Sequence, residues 1–128
     1  MHVKREVVLV EDDGGMRQAI ERILNGAGYH VRSFASAEAL LESLAGSALW
    51  DSSHCLVCDV RLPGATGFEL HRRLVEQGPL PPCIFITAYD DPAIRGQAER
   101  TSSAYLPKPF EGRTLLAVIA RSLQATSS

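Results

Sequence analysis

The sequence of this chain predicts an α/β fold in which five strands alternate with five helices in a doubly wound parallel sheet. Two observations carry this prediction. Short apolar runs, rich in β-branched residues, alternate with segments whose apolar residues recur at helical spacing. Several of the runs end in a polar residue, which is typical of parallel strands that present a ligand site at their carboxyl ends.

The first part of the chain contains two predicted strand–helix units. Val7-Val8-Leu9-Val10 is a continuous apolar run, typical of a strand that is covered on both faces. A helical pattern follows over residues 16–27 and ends where Gly28 is suited to a helix C-terminus. Residues 29–34 are predicted to form a second, shorter strand. Ser36 is a candidate N-cap for the second helix, and a polar connection over residues 46–54 precedes the third strand.

The third predicted strand is the centre of the fold. The run Leu56-Val57-Cys58-Asp59 ends in one carboxylate, and the Pro63-Gly64 turn follows shortly after it. Asp59 is therefore expected at the carboxyl end of a buried strand, where a carboxylate costs on the order of several kcal/mol unless a cation or a hydrogen-bond donor compensates it. The alternative is that Asp59 only caps the turn that follows.

The second part of the chain continues the alternation. Thr66 and Glu69 have the spacing of a capping box at the start of the third helix. The fourth strand is predicted over residues 83–86, with Thr87 at its end. Residues 92–100 form a weak helical pattern, because Gly96 interrupts it and few of its positions are apolar.

The remaining segments complete the predicted fold. Tyr105-Leu106 is a fifth, short strand, and the last helix places its apolar residues between Leu115 and Leu123. Residues 125–128 are polar and are expected to form a frayed tail or the start of a linker, so we place the domain at residues 1–124. The expected strand order is 2-1-3-4-5, the flavodoxin-like arrangement.

Composition excludes several classes of protein. The chain of 128 residues has the length of one domain, and its net charge of −2 gives no general attraction to nucleic acid or to an anionic membrane. No apolar stretch approaches the roughly 20 residues that a membrane-spanning helix needs, and the N-terminus lacks a signal peptide's apolar region. We therefore expect a cytoplasmic domain that contacts neither nucleic acid nor membrane directly.

The cysteine spacing does not indicate a metal or redox site. Cys55 and Cys58 form a C-x-x-C string, but residues three apart in a strand point to opposite faces. No second such string and no suitably spaced histidine pair completes a zinc site. We interpret both residues and Cys83 as small buried apolar side chains, Trp50 as edge packing, and the histidines as surface or packing residues.

Polar residues at four predicted strand ends form the candidate site: Glu11-Asp12, Asp59, Thr87 and Lys108. With strands one and three as neighbours, the carboxylates lie together at the carboxyl edge of the sheet, which we call the acidic mouth. They repel one another there, so a cation must hold them. Oxygen ligands favour a hard dication such as Mg²⁺ (or Mn²⁺), and Lys108 adds a mobile positive charge. Such a site can bind a phosphoryl group, with a carboxylate as the nucleophile.

On these residues the chain resembles the receiver domain of two-component response regulators. The resemblance covers nearly the whole chain, and the run over residues 81–88 is most similar to receivers of FixJ/LuxR-type transcription regulators. The matching segments are Val10-Glu11-Asp12, Asp59-Val60-Arg61-Leu62-Pro63-Gly64, Ile86-Thr87-Ala88 and Tyr105-Leu106-Pro107-Lys108-Pro109-Phe110.

The resemblance implies a phosphoacceptor and a metal site. Asp59 would accept a phosphoryl group from a sensor histidine kinase or a histidine phosphotransfer protein. Asp12 would bind Mg²⁺ directly, Glu11 would bind it through water, and the backbone carbonyl of Arg61 would be a further ligand, together with Asp59. Glu11 departs from the Asp that is more usual at its position, which a ligand acting through water tolerates.

The resemblance also implies a switch. Thr87 and Lys108 would contact the phosphoryl group, Tyr105 matches the switch aromatic residue, and the Lys108–Pro109 peptide would be cis. Phosphorylation would change the face formed by helix 4, strand 5 and helix 5, to form a homodimer or to control a DNA-binding output domain outside this chain. The domain would be a signalling receiver rather than an enzyme, with self-phosphorylation and self-dephosphorylation as its only reactions.

Three other functions fit the sequence less well. A flavodoxin needs a loop that cradles phosphate after the first strand, where the acidic residues 11–13 would repel it. A metal-dependent phosphatase with an Asp nucleophile expects a second Asp at the position that Arg61 occupies. A binding module that works without phosphorylation would be indicated by the loss of a site acid, Thr or Lys, and none of these is lost.

Overall fold

Five strands and five helices alternate along the chain in the structure, a computed structural model that describes residues 5–44, 50, 54–101 and 103–127. The strands of the main sheet are β1 (Glu6–Val10), β2 (His30–Phe34), β3 (His54–Asp59), β4 (Cys83–Thr87) and β5 (Ala104–Pro107). The helices are α1 (Gly14–Gly26), α2 (Ala37–Leu44), α3 (Gly67–Glu76), α4 (Pro92–Arg100) and α5 (Gly112–Ser127).

The strands pair in parallel in the order β2-β1-β3-β4-β5, which confirms the predicted topology. Since β1 and β3 are neighbours, Val10 lies opposite Cys58 at the ends of these two strands. Asp59 pairs with Ile86, one residue before the end of β4. The register therefore brings the carboxyl ends of the three central strands to one edge of the sheet.

The core is divided into two layers by the sheet. On one face, alternate residues of β1, β3 and β4 pack with α2, α3 and α4, and on the other face the intervening residues pack with α1 and α5. Cys58 belongs to the first layer and Cys55 to the second, and Cys83 is also buried, so the cysteines are the apolar residues that we expected. Burial raises the pKa of each of these thiols.

Side-chain caps fix where the helices begin. Ser36 and Thr66 accept hydrogen bonds of 3.1 Å from backbone N–H groups three residues on, which confirms both predicted caps. Asp13 and Asp91 cap α1 and α4 in the same way, and α1 begins at Gly14 rather than at Met16 because Asp13 supplies that cap. Each cap thereby gives a hydrogen-bond acceptor to one first-turn N–H group that has no partner within its own helix.

Between β3 and α3 the chain forms a short antiparallel hairpin that the sequence did not predict. Arg61–Leu62 pairs with Ala65–Thr66, and Gly64 in the turn has a φ of +76°. A pair of two-residue strands is too short to produce an alternating pattern, so only its Pro-Gly turn was visible in the sequence.

Other element boundaries differ modestly from the predictions. His54, which we predicted to end the connection over residues 46–54, instead begins β3. Of the other residues of this connection, the structure describes Trp50 alone. Trp50 packs against the core as expected. The helix α5 continues to Ser127, so the domain end at residue 124 stays a prediction. Within the described residues, no helix combines the length and apolar character needed to cross a bilayer.

The glycine that begins α3 is required by a close approach to the site strand. A Cβ atom on Gly67 would overlap the backbone oxygen of Asp59 and lie 3.1 Å from the sulfur of Cys58. We expect Gly67→Ala to lower the free energy of unfolding by about 1–3 kcal/mol, measured by urea denaturation, because backbone atoms cannot yield cheaply. Gly26→Ala is the matched control, since a Cβ there meets nothing within 4 Å. Equal stabilities of the two variants would contradict this account.

Candidate functional site

The carboxyl edge of the sheet holds the buried polar residues of the fold. Among the described residues, three polar side chains belong to buried positions: Glu11 with 0% exposure, Asp59 with 6% and Thr87 with 0%. All three were predicted site residues, each at or directly after the end of a strand. Burial of two carboxylates on neighbouring strands requires compensation by positive charge or by hydrogen-bond donors.

Lys108 supplies that positive charge. Its Nζ donates to Oε1 of Glu11 at 2.6 Å and to Oδ2 of Asp59 at 2.8 Å, and its own side chain is only 13% exposed. Lys108 follows β5, and its backbone N–H donates to the carbonyl of Thr87 at 2.7 Å. One ammonium group therefore joins the ends of three strands. The Lys108–Pro109 peptide is cis, as the resemblance implied.

Backbone donors orient the remaining carboxylate oxygens. The N–H of Asp13 donates to Oε2 of Glu11 at 3.2 Å, and the N–H of Arg61 donates to Oδ1 of Asp59 at 3.0 Å. Arg17, from α1, donates to the backbone carbonyl of Glu11 at 2.9 Å. Both buried carboxylates are thus held by one charged donor and one neutral donor, which fixes their rotamers in the mouth of the sheet.

The electrostatics of the site show that negative charge is in excess. Burial raises the pKa of Glu11 from 4.5 to about 7; Lys108 opposes the rise and Asp59 adds to it. Burial acts to lower the pKa of Lys108, but hydrogen bonds to Asp59 and Glu11 outweigh it, so this pKa is raised. The lysine therefore stays charged while the two carboxylates compete for it.

Asp12 completes a cluster that fits a hard metal ion. Among the described residues, carboxylate oxygens of Glu11, Asp12 and Asp59 lie within 4.8 Å of one another, and Asp12 is exposed at the mouth. The ammonium of Lys108 already occupies a cation's place between two of these groups. An all-oxygen set with surplus negative charge suits Mg²⁺ or Mn²⁺.

Two predicted switch residues are brought to the same region but not into contact. Thr87 Oγ1 accepts from the N–H of Tyr89 at 3.0 Å, which leaves its hydroxyl hydrogen available for another acceptor. Tyr105 donates its hydroxyl to Oδ1 of Asp90 at 3.0 Å, so its ring is held toward the loop after β4 rather than toward the sheet mouth.

Sequence reasoning missed the residues that link these groups. Tyr89 lies under the guanidinium of Arg61, 3.8 Å from the ring centroid, and the guanidinium of Arg95 donates to Asp90 at 2.7 Å. No local spacing signals the contact of Arg61 with Tyr89, because it joins two loops that are distant in sequence. Asp90 and Arg95 are only five residues apart, but no motif marks their contact across the start of α4. The described histidines at positions 30, 54 and 71 lie away from this mouth, as expected; His2 is outside the described residues.

Comparison with known proteins identifies the family. The sequence profile described as "Response regulator receiver domain" matches residues 7–120, so the chain belongs to the receiver domains of two-component response regulators. The chain is 34% identical over 120 residues to the transcriptional regulatory protein FixJ of Bradyrhizobium diazoefficiens, which covers 93% of the chain and 57% of FixJ. This similarity confirms the resemblance to FixJ-type receivers.

Two further comparisons extend the result. The DNA-binding transcriptional regulator NtrC of Escherichia coli K12 is 32% identical over 118 residues, covering 91% of the chain and 24% of NtrC. The solved BeF₃-activated receiver domain of DrrB superposes with a TM-score of 0.81 at 27% identity, covering 95% of this chain and 99% of DrrB's. The chain thus spans about half of FixJ and a quarter of NtrC, but nearly all of an isolated receiver.

The raised pKa of Glu11 predicts a pH dependence of stability. The folded state binds this proton more tightly than the unfolded state, so the free energy of unfolding should fall as pH rises from about 4.5 through about 7. In metal-free buffer, Glu11→Gln should remove a fall on the order of 2 kcal/mol, because Gln resembles the protonated acid. Urea denaturation at pH 5 and pH 8 measures it.

The exposed Glu76 provides the control, since Glu76→Gln changes the same residue type on the surface of α3. That variant should retain the pH slope of the original protein. A Glu11→Gln variant with an unchanged slope would show that Glu11 titrates normally in the folded state.

Proposed function

We propose that this domain is a phosphoacceptor switch in which Asp59 takes a phosphoryl group from the phosphohistidine of a sensor kinase or a phosphotransfer protein. The observation that carries the proposal is the shared contact of Lys108 with Glu11 and Asp59 at a buried strand edge. Membership in the receiver family supports the same reaction class. The domain acts as a signalling element in the cytoplasm, with phosphorylation and dephosphorylation of its own side chain as its chemistry.

The side chains present divide the reaction among them. A carboxylate oxygen of Asp59 attacks phosphorus, the phosphorus–nitrogen bond of the donor breaks, and the electron pair returns to the histidine nitrogen. Lys108, which donates to Asp59 before the reaction, then donates to the new phosphoryl oxygens. Thr87 donates its free hydroxyl hydrogen to a phosphoryl oxygen while still accepting from Tyr89.

The acidic cluster supports a requirement for a divalent cation. Glu11, Asp12, Asp59 and the backbone carbonyl of Arg61 would hold Mg²⁺ or Mn²⁺, which when bound neutralises the carboxylates and the incoming phosphoryl oxygens. As the family resemblance implies, Asp12 would bind the ion directly and Glu11 would act through water; Asp12 is exposed and Glu11 is buried. Without the ion, three acids facing a phosphoryl group would oppose its approach.

The signal leaves through the loop after β4. A phosphoryl group adds up to about two negative charges, and Thr87 moves toward them, which disturbs its hydrogen bond with Tyr89. Asp90, in the same loop, then releases Tyr105, which changes the surface of α4, β5 and α5. That face forms a homodimer or engages a DNA-binding output domain, as the transcriptional regulators FixJ and NtrC suggest.

Phosphorylation itself is the first test. Incubation with acetyl phosphate and Mg²⁺ should add one phosphoryl mass, measured by intact-protein mass spectrometry, and Asp59→Asn or omission of the metal should abolish the addition. Asp12→Ala should slow it at least about tenfold, because a direct ligand is lost. Asp13→Asn is the control, since it changes a neighbouring acid that caps α1 and should react normally. Equal labelling of Asp59→Asn would refute the proposal.

The route of the signal is the second test. Thr87→Ala should still accept phosphate but should lose most of the change in association that beryllofluoride produces, measured by analytical ultracentrifugation, because the moving hydroxyl is absent. Thr87→Ser keeps the hydroxyl and should respond as the original protein does. A full response of Thr87→Ala would mean that the signal travels through another element.

A further inference from the structure

A cavity of about 900 Å³ lies between α3 and α4 and borders the acidic mouth at Arg61, whose backbone N–H donates to Asp59. None of the described residues that line it is Glu11, Asp12, Asp59, Thr87 or Lys108. Its size falls in the range of about 300–1,000 Å³ that is common for small-molecule sites. Its chemistry is not used by the phosphoacceptor reaction.

The floor and wall of this cavity are apolar. Phe68 forms the floor, with its ring centroid 4.6 Å from that of Phe85 in the core, so this surface is firmly held. Ile94 lies on the α4 side, and Val75 on the α3 side is 52% exposed. Only one other large apolar side chain among the described residues, Tyr89, is comparably exposed. Val75 therefore presents apolar surface that this fold does not cover.

The rim of the cavity carries positive charge that is not neutralised. Among the described residues, no carboxylate lies within ion-pair distance of Arg72 or of Arg61. The guanidinium of Arg61 stacks on the ring of Tyr89. The one carboxylate in the lining, Glu69, belongs to the capping box at the start of α3. Burial lowers the pKa of His71, so its ring is uncharged at pH 7 and adds no charge to the cavity lining.

The weak helix α4 keeps the cavity open. Gln97 of α4 and Thr101, the residue after the helix, line it with polar side chains, and Ala98 is the only buried residue of the helix. An apolar floor with polar and cationic edges is thus left accessible between two helices.

We propose that this cavity binds a small, free amphipathic carboxylate whose aromatic or alkyl body lies against Phe68, Ile94 and Val75. Arg72 faces the carboxylate, because a guanidinium can donate two parallel hydrogen bonds to such a group, and Arg61 adds a second positive charge to the lining. Charge complementarity selects an anion, and the concave shape between two helices selects a small molecule over a flat membrane surface. Arg72 and the apolar lining take no part in the proposed phosphoryl transfer, and Arg61 takes part in it only through its backbone.

The test uses 2-naphthoate as the probe on the whole chain. Titration followed by ¹H–¹⁵N NMR should give saturable one-to-one shifts centred on Arg72, Val75 and Ile94, whereas the neutral 2-naphthylmethanol should bind at least about fivefold more weakly. Arg72→Ala should weaken naphthoate binding by about fivefold or more. Arg22→Ala, an exposed arginine on α1, should leave it unchanged.

Further measurements distinguish this site from the phosphoacceptor and a small ligand from a macromolecular one. Asp59→Asn should bind naphthoate normally, so a failure of phosphorylation and a failure of this site are distinguishable. Shifts centred elsewhere, equal binding of the neutral analogue, or an unaffected Arg72→Ala variant would overturn the proposal. Binding of an acidic peptide or of phosphatidylglycerol vesicles without binding of naphthoate would overturn it as well, because the occupant would then be macromolecular.

Discussion

The contact on which the fold's chemistry depends is one ammonium group shared by two buried carboxylates. Lys108 joins the ends of β1, β3 and β5 by contacts of 2.6 Å to Glu11 and 2.8 Å to Asp59. Such a buried group is not a simple gain in stability, because desolvation of the charges offsets much of their attraction. Its value is positional, because the lysine holds both acids at one edge of the sheet.

The same contact leaves the site short of positive charge. Glu11, Asp12 and Asp59 face a single ammonium, and the rise in the pKa of Glu11 to about 7 is one consequence of burial beside Asp59. The deficit can be met by a proton on Glu11 or by a dication among the oxygens. At neutral pH the second route relieves more repulsion, since a dication carries two charges to the cluster. An acidic cluster of this kind therefore suits a hard dication.

Most of the fold could be predicted from the sequence because its signals are local. Apolar runs, helical spacing and caps such as Thr66 located the elements, and parallel topology then placed Asp59 and Thr87 at one edge. The short hairpin after β3 could not be predicted, since two-residue strands carry no periodic signal. The contact of Arg61 with Tyr89 was equally invisible, because it depends on how two loops meet.

The way in which α4 is anchored explains why a change at Thr87 could reach the surface. Ala98 is the only buried residue of α4, so few apolar contacts resist a displacement of this helix. The loop before it is tied at one end to Thr87 through Tyr89 and at the other to Tyr105 through Asp90. In the proposed switch, movement of the threonine hydroxyl would act on α4, the helix with the fewest buried residues, whereas β3 and β4 are buried along nearly their whole length. The buried sheet holds the polar groups of the site, and α4, with one buried residue, is the element that such a switch would displace most easily.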